Sequence, residues 1–131
     1  GDLILTYDRA SQSYRETQVK RILSVYHENL VRIEFDHSEL IVTDDHPFLT
    51  SNGWCSLNPK KTMDRYGYKD VDTLRADSEL IGFETNKKTI RIIEKINRGM
   101  ITYTISTLEN GNNFVINGVV VGTESMSLNL Q

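Results

Sequence analysis

The sequence predicts an all-β domain with little helix, and three features of the chain lead to that prediction. Residues 31–36 alternate between apolar and polar side chains, which is the pattern of a half-buried antiparallel strand. Between Thr89 and Ile96 every apolar residue is isoleucine, and β-branched side chains favour a pleated sheet. Two Asn-Gly pairs, at 110–111 and 117–118, predict tight hairpin turns because both residue types tolerate positive φ angles.

Length and composition limit the classes of protein that the chain can belong to. A chain of 131 residues most simply forms one domain, and its apolar fraction of 38% is that of a globular protein. The net charge of −3 does not supply the concentrated positive charge that nucleic-acid binding needs, and no apolar run approaches the length of a membrane-spanning helix. The one cysteine, Cys55, excludes an internal disulfide and a multi-cysteine zinc site. We therefore expect a monomer without a nucleic-acid or membrane partner.

The first part of the chain contains four predicted segments. Residues 3–7 form an apolar, strand-compatible run that ends in a polar turn at 8–13. From Tyr14 onward the apolar spacing is mixed, so both strand and helix remain open for this segment. Residues 31–36 and 39–43 both have strand character and are separated by a short polar link, which predicts a hairpin.

The later part of the chain gives weaker signals after a turn at 51–53. Residues 58–70 are polar and irregular, so we predict a surface loop that can contain one helical turn, and residues 71–74 suit a short helix or a bend. The remaining predicted elements are a strand at 80–83, a turn at 86–88, strands at 89–96 and 100–108, and the two Asn-Gly hairpins. The predicted core contains six aromatic residues, which are Tyr7, Phe35, Phe48, Phe83, Tyr103 and Phe114.

One polar stretch directly follows the strand predicted at 39–43, and it reads Thr43-Asp44-Asp45-His46-Pro47-Phe48. Pro47 disfavours the α region for His46, so the imidazole lies on an extended or turning backbone. Thr43 is three residues earlier, close enough for its hydroxyl and the imidazole to face one space. Imidazole is the side chain that titrates nearest to neutral pH, so Thr43 and His46 form a candidate proton-handling pair.

Residues 43–48, followed by Gly53 and Trp54, resemble the central motif of Hint domains. This fold is shared by inteins, hedgehog autoprocessing domains and bacterial intein-like domains, and the resemblance is greatest to the last of these. In that motif, Thr-x-x-His assists the attack of an N-terminal cysteine or serine on the preceding peptide bond. Four further stretches resemble family motifs in the same order along the chain, at 1–8, 77–81, 103–105 and 112–121.

The resemblance implies a horseshoe of long, strongly bent antiparallel strands over residues 1–124, with a tail or linker at 125–131. It also implies single-turnover self-processing in cis by an N–S or N–O acyl shift, without a cofactor or a metal. In that chemistry Thr43 orients the scissile amide and His46 delivers a proton to the leaving amine. The implied partner is the precursor polypeptide itself, or a separate N-terminal segment that completes the fold.

The sequence also departs from the family pattern. The chain begins at the family's Gly-Asp stretch, so we expect the nucleophile segment to lie outside this chain, to come from another chain, or to be absent. Gly122 and Thr123 stand where inteins end in His-Asn, so asparagine cyclisation lacks its reacting group. Thr104 stands where an acidic residue is common, and Asn112 where a histidine is common. We therefore expect the site in this chain to be incomplete or inactive.

Several alternatives remain open at this point. A degenerate Hint-fold domain would be a non-catalytic structural or protein-interaction module, with His46 as a hydrogen-bonded turn residue beside Thr43. Asp44, Asp45 and His46 could be metal ligands, although three consecutive residues rarely converge on one ion. Cys55 could replace the missing nucleophile, although a strand cysteine without a charged neighbour is usually buried and inert.

Overall fold

The computed structural model describes residues 1–125, with the side chain of Thr85 excepted, and the predicted all-β class is confirmed. The tail predicted at 125–131 lies, apart from Ser125, outside the described residues. The strands are β1 (Leu3–Asp8), β2 (Ser13–His27), β3 (Leu30–Phe35), β4 (Ser38–Thr43), β5 (Phe48–Thr50), β6 (Gly53–Ser56), β7 (Asp72–Thr73), β8 (Glu79–Ile81), β9 (Lys87–Ile96), β10 (Met100–Leu108), β11 (Asn113–Ile116) and β12 (Val119–Gly122). A helix, α1 (Pro59–Tyr66), and a 3-10 turn at Phe83–Thr85 complete the described elements.

The strands form two sheets. The smaller sheet has the order β1-β2-β10, and the larger follows the path β11-β12-β5-β8-β9-β3-β4, with β6 and β7 attached beside β5. The segment from Tyr14 onward, for which the sequence allowed either strand or helix, is strand β2, a single strand of 15 residues. Its first part pairs with β1 and its second part with β10, both antiparallel.

The hairpin predicted from residues 31–36 and 39–43 is confirmed as β3–β4, in antiparallel register from Leu30 opposite Thr43 to Phe35 opposite Ser38. Strand β3 also pairs with β9, so it lies inside the larger sheet. Ile33 and Phe35 are fully buried there, which explains the alternation seen in the sequence. The hairpin therefore delivers the end of β4, with Thr43, to a fixed place beside the core.

The two Asn-Gly pairs have different outcomes. Asn117 and Gly118 have φ angles of 48° and 81° and connect the paired strands β11 and β12, as predicted. The hairpin predicted at Asn110 and Gly111 is wrong, because β10 pairs with β2 while β11 pairs with β12. That turn instead carries the chain from the smaller sheet to the larger one. A local turn signal does not determine which distant strand becomes the partner.

The segment predicted at 58–70 as a surface loop with one helical turn contains more helix than expected, namely the eight residues of α1. Asn58 caps the helix through Oδ1, which accepts from the Lys61 amide, and Pro59 occupies the first turn. Gly67 ends the helix with a left-handed φ of 76°. The segment predicted as a short helix or bend at 71–74 contains β7, which pairs in parallel with β6. Within residues 1–125, no helix is long and apolar enough to cross a membrane.

The aromatic core is smaller than predicted. Tyr7, Phe35, Phe48 and Phe114 are at most 8% exposed, but Tyr103 is 74% exposed and Phe83 is 39% exposed. Tyr103 lies on the two-strand part of the smaller sheet, opposite Ser24, where the larger sheet does not cover it. Phe83 lies in the 3-10 turn, beyond the end of β8 and against the Tyr14 ring. The chain turns at Phe83–Thr85 rather than at the predicted 86–88, and Lys87 already belongs to β9.

Candidate functional site

Thr43 and His46 lie in one tight turn between β4 and β5. The His46 amide donates to the Thr43 carbonyl at 3.2 Å, which closes the turn. The Thr43 hydroxyl, however, donates to Asp45 Oδ1 at 2.6 Å. The structure thus brings the two predicted residues together through the backbone, and the carboxylate between them holds the hydroxyl.

Asp45 is fully buried and is the centre of a polar network that the sequence did not single out. Its Oδ2 accepts from Arg65 Nη1 and from the Tyr66 hydroxyl, each at 3.1 Å. Burial, followed by the negative charges of Glu124 and Asp45, raises the pKa of Tyr66, so its phenol stays protonated and donates. Since its oxygens are already occupied by these donors, the carboxylate does not fit a metal-ligand role beside Asp44 and His46.

His46 is 9% exposed and is held from two sides. Its Nδ1 lies 3.1 Å from Glu124 Oε2, and its ring contacts Phe48 edge-to-face with the centroids 5.4 Å apart. A carboxylate only accepts hydrogen bonds, so Nδ1 carries the hydrogen when Glu124 is ionised. This leaves Nε2 as the ring nitrogen that can accept or deliver a proton for a substrate.

Glu124 reaches His46 because the end of β12 runs antiparallel to the start of β5. Val121 pairs with Phe48, and the Gly122 amide donates to the Pro47 carbonyl at 2.9 Å. Continuing this register carries Glu124 back to the turn that contains His46. The backbone amide of Glu124 donates to the Ile105 carbonyl on β10 at 3.1 Å, and the side chain is buried.

The ionisation of Glu124 reflects opposing influences. Burial raises the pKa of this carboxyl, while the charge and hydrogen bond of His46 and the charge of Arg65 lower it, so the net pKa lies below its usual value. The Thr104 hydroxyl also lies close enough to lower this pKa. Glu124 is therefore an anion at neutral pH.

An apolar cavity of about 180 Å³ adjoins His46. His46, Thr104 and Tyr103 contribute its polar groups, and the rest of its wall is mainly aliphatic. The other lining residues are Ile4, Ile22, Leu40, Ile41, Val42, Ile105, Phe114 and Ile116. Because β10 lies at the edge of the smaller sheet, the cavity is bordered by a strand whose outer side is not paired with another described strand.

Cys55 and Asn112, which the sequence also singled out, do not line the cavity beside His46. Cys55 is buried, as predicted, and lines a separate, more polar cavity with Asp72 and Asp77. The side chain of Asn112 is exposed, whereas its neighbour Asn113 is buried and was missed. Asn113 bonds to both the amide and the carbonyl of Tyr7, which ties β11 to β1. Two adjacent asparagines give no sequence signal for which one faces inward.

No protein-family model matches the chain, and a search of curated proteins gives no match. Solved structures do match. The solution structure of a bacterial intein-like domain from Clostridium thermocellum covers 94% of this chain and 82% of its own, with a TM-score of 0.74 at 15% identity. The chain has the Hint fold. The horseshoe architecture that the resemblance implied is thereby confirmed.

Two inteins support the same assignment of the fold. The DnaX mini intein from Spirulina platensis matches with a TM-score of 0.70 at 23% identity, covering 92% of this chain and 81% of its own. A DnaB intein from Synechocystis matches with a TM-score of 0.69 at 16% identity, covering 92% of this chain and 77% of its own. At these identities the likeness concerns the Hint fold, and the chemistry has to be argued from the site itself.

Proposed function

We propose that this Hint-fold domain promotes self-cleavage of its own precursor through an N–S or N–O acyl shift. The observation that supports this most is the position of His46, a titratable group in the wall of an apolar cavity, with Nδ1 engaged and Nε2 left for a substrate. Among the described residues, the cavity lining supplies the hydroxyls of Thr104 and Tyr103 but no serine and no thiol. The nucleophile is therefore a cysteine or serine of a polypeptide segment that enters the cavity beside β10.

In the proposed reaction, the sulfur or oxygen of that residue attacks the carbonyl carbon of the peptide bond before it. A C–S or C–O bond forms, the C–N bond breaks, and the proton lost by the nucleophile ends on the freed amine. His46 Nε2 takes this proton and returns it to the departing nitrogen, so the ring is regenerated. The product is a thioester or an ester, which water or an added thiol then cleaves.

In this mechanism the Thr43 hydroxyl can accept a hydrogen bond from the substrate but cannot donate one. Its hydrogen is committed to Asp45 at 2.6 Å, so its oxygen is left with lone pairs that only accept. An acceptor at this position would orient the scissile amide through its N–H. The Asp45 network thereby sets the direction of the Thr43 hydroxyl, although Asp45 itself does not touch the substrate.

A non-catalytic module is the second candidate, and a specific observation favours it. Thr43 and His46 both have hydrogen-bond partners inside the domain, so the turn is satisfied without a substrate. Gly122 and Thr123 also lack the groups for asparagine cyclisation, which confines any reaction to the N-terminal junction. In this alternative the apolar cavity is a contact surface for another polypeptide.

The two candidates differ in whether the natural precursor cleaves. The precursor, with all residues encoded before Gly1 and a short N-terminal fusion, is incubated with and without a thiol or hydroxylamine. We expect cleavage at the junction, faster with either nucleophile, and its loss in His46→Ala. The control is His27→Ala, since His27 lies at the far end of β2 and does not line the cavity. A precursor that stays intact under all conditions would leave the non-catalytic module as the function.

A further inference from the structure

We propose that Glu124 is the positioning residue for His46, holding the imidazole through Nδ1 so that Nε2 serves the scissile amide. This inference rests on the self-processing function proposed above. Its basis is geometric: the carboxylate and the ring are both buried, and Oε2 lies 3.1 Å from Nδ1. A carboxylate in this position fixes one tautomer and stabilises the imidazolium that forms when Nε2 takes a proton.

Glu124 is the carboxylate suited to this role, because Asp45 is committed elsewhere. Although Asp45 is next to His46 in sequence, its oxygens accept from Thr43, Arg65 and Tyr66. Glu124 lies two residues after the end of β12, and its backbone amide donates to the Ile105 carbonyl of β10. The two buried carboxylates therefore have different roles at this turn. Asp45 fixes the Thr43 hydroxyl, and Glu124 fixes the His46 imidazole.

The charged and titratable groups around Glu124 come from each element packed against it. His46 faces it from the turn before β5, Arg65 and Tyr66 from α1, and Tyr68 from the segment after α1. Burial and the charge of Glu124 raise the pKa of both phenols, so these stay neutral. The cations near the carboxylate are therefore Arg65 and, when protonated, His46. This arrangement favours an ionised Glu124, which is the form that accepts the hydrogen of Nδ1.

The Thr104 hydroxyl provides a second observation at the same carboxylate. Its Oγ1 is buried and has no hydrogen-bond partner among the described residues, yet it lies close to Glu124. Glu124 Oε2 faces His46 Nδ1, which forms a charge-assisted bond when the ring is protonated. The nearby Thr104 hydroxyl lowers the pKa of the same carboxyl, so both neighbours favour its ionised form.

The test separates the tautomer of His46 from the cleavage reaction. Nitrogen-15 NMR of the domain at a pH where the ring is neutral should place the hydrogen on Nδ1, and this measurement needs no variant. Glu124→Ala removes the acceptor, so we expect the Nε2–H tautomer to rise and precursor cleavage to slow by roughly 10²-fold. Glu124→Gln keeps the shape of the side chain and an acceptor oxygen but removes the charge, so this fold-preserving variant should slow cleavage with a smaller change in tautomer. Glu109→Ala is the matched control, since Glu109 is exposed and does not line the cavity.

A neutral wild-type ring with its hydrogen on Nε2 would overturn the positioning role. An unchanged Nδ1–H tautomer in Glu124→Ala would overturn it as well. If the wild-type precursor does not cleave, the proposed function fails, but the NMR comparison still decides whether Glu124 positions His46. The two proposals therefore fail in different experiments.

Discussion

The Thr62 hydroxyl donates a hydrogen bond of 2.7 Å to the backbone carbonyl of Asp45, which fixes helix α1 against the turn that carries His46. Thr62 is fully buried, and the same hydroxyl lies 2.6 Å from Ser56 Oγ on β6. The helix is thus held at its middle, while Arg65 and Tyr66 at its end reach the Asp45 carboxylate. A short helix of eight residues is marginal by itself, so these contacts account for its presence in an otherwise β domain.

Replacing Asp45 with alanine should destabilise the domain much more than the same change at Asp44. Asp45→Ala leaves the half-buried Thr43 and Tyr66 donors without their buried acceptor, for a loss of roughly 2 kcal/mol in the free energy of unfolding. Asp44 is 39% exposed and pairs with a similarly exposed Lys61, so Asp44→Ala should cost about 1 kcal/mol or less. Urea unfolding of both variants measures the difference, and equal losses would contradict the central place of Asp45.

The parts of the fold that could be predicted from the sequence are those set by local pattern. The β3–β4 hairpin and the isoleucine-rich β9 follow from the two-residue period and β-branching, which act within one segment. The capping residues of α1, which are Asn58 before Pro59 and Gly67 at the end, were also present in the sequence. The polar composition of the segment favoured a loop prediction instead. The hairpin expected at Asn110 and Gly111 was wrong because pairing depends on β2, some eighty residues away.

The candidate site was only half predictable for the same reason. Thr43 and His46 are three residues apart in the chain and belong to a recognisable motif, whereas Glu124 is separated from His46 by 78 positions. Its approach depends on the register of β12 against β5, which no local pattern specifies. The burial of Tyr103 was misjudged because a single strand does not reveal whether a second sheet will cover it.

Asn113 should matter to stability, and its neighbour Asn112 should not. Asn113 Oδ1 accepts from the Tyr7 amide at 2.7 Å and Nδ2 donates to the Tyr7 carbonyl at 2.9 Å, so the side chain substitutes for a ladder between β11 and β1. Asn113→Ala leaves both buried backbone groups unpaired, and we expect a loss of roughly 2–3 kcal/mol in unfolding free energy. Asn112→Ala changes an exposed side chain and should cost about 0.5 kcal/mol or less. Thermal or urea unfolding of the pair tests this, and similar losses would argue against the Asn113 bridge.

Acid should weaken the domain partly through Glu124. The folded-state pKa of this carboxyl lies below its ordinary value of 4.5, so the unfolded chain binds the proton more readily. The stability it contributes is fully present above about pH 4.5 and is lost as the pH falls through the lower folded-state pKa. Free energies of unfolding, measured from pH 7 to pH 3 for wild type and Glu124→Gln, should therefore converge in acid. Asp8 and Asp36, whose pKa values are also lowered, are common to both proteins and cancel. A gap that stays constant over this range would show that Glu124 gains no stability from its ionised form.

Gly122 should not accept a side chain while Tyr68 keeps its hydroxyl. A Cβ at Gly122 would overlap the Tyr68 hydroxyl and lie 2.9 Å from Pro47 Cγ, so Gly122→Ala forces the phenol away from the Thr123 carbonyl that it bonds at 2.8 Å. We expect a loss of about 1–3 kcal/mol in unfolding free energy, which is typical of overpacking. Tyr68→Phe removes the overlapping oxygen, so Gly122→Ala should cost less in that background, although the Pro47 contact remains. A double-mutant cycle by urea unfolding measures the coupling between the two positions. Additive losses would mean that the hydroxyl does not limit position 122, and that a side chain is excluded there by Pro47 Cγ and Tyr68 Cζ, each 2.9 Å from the added Cβ.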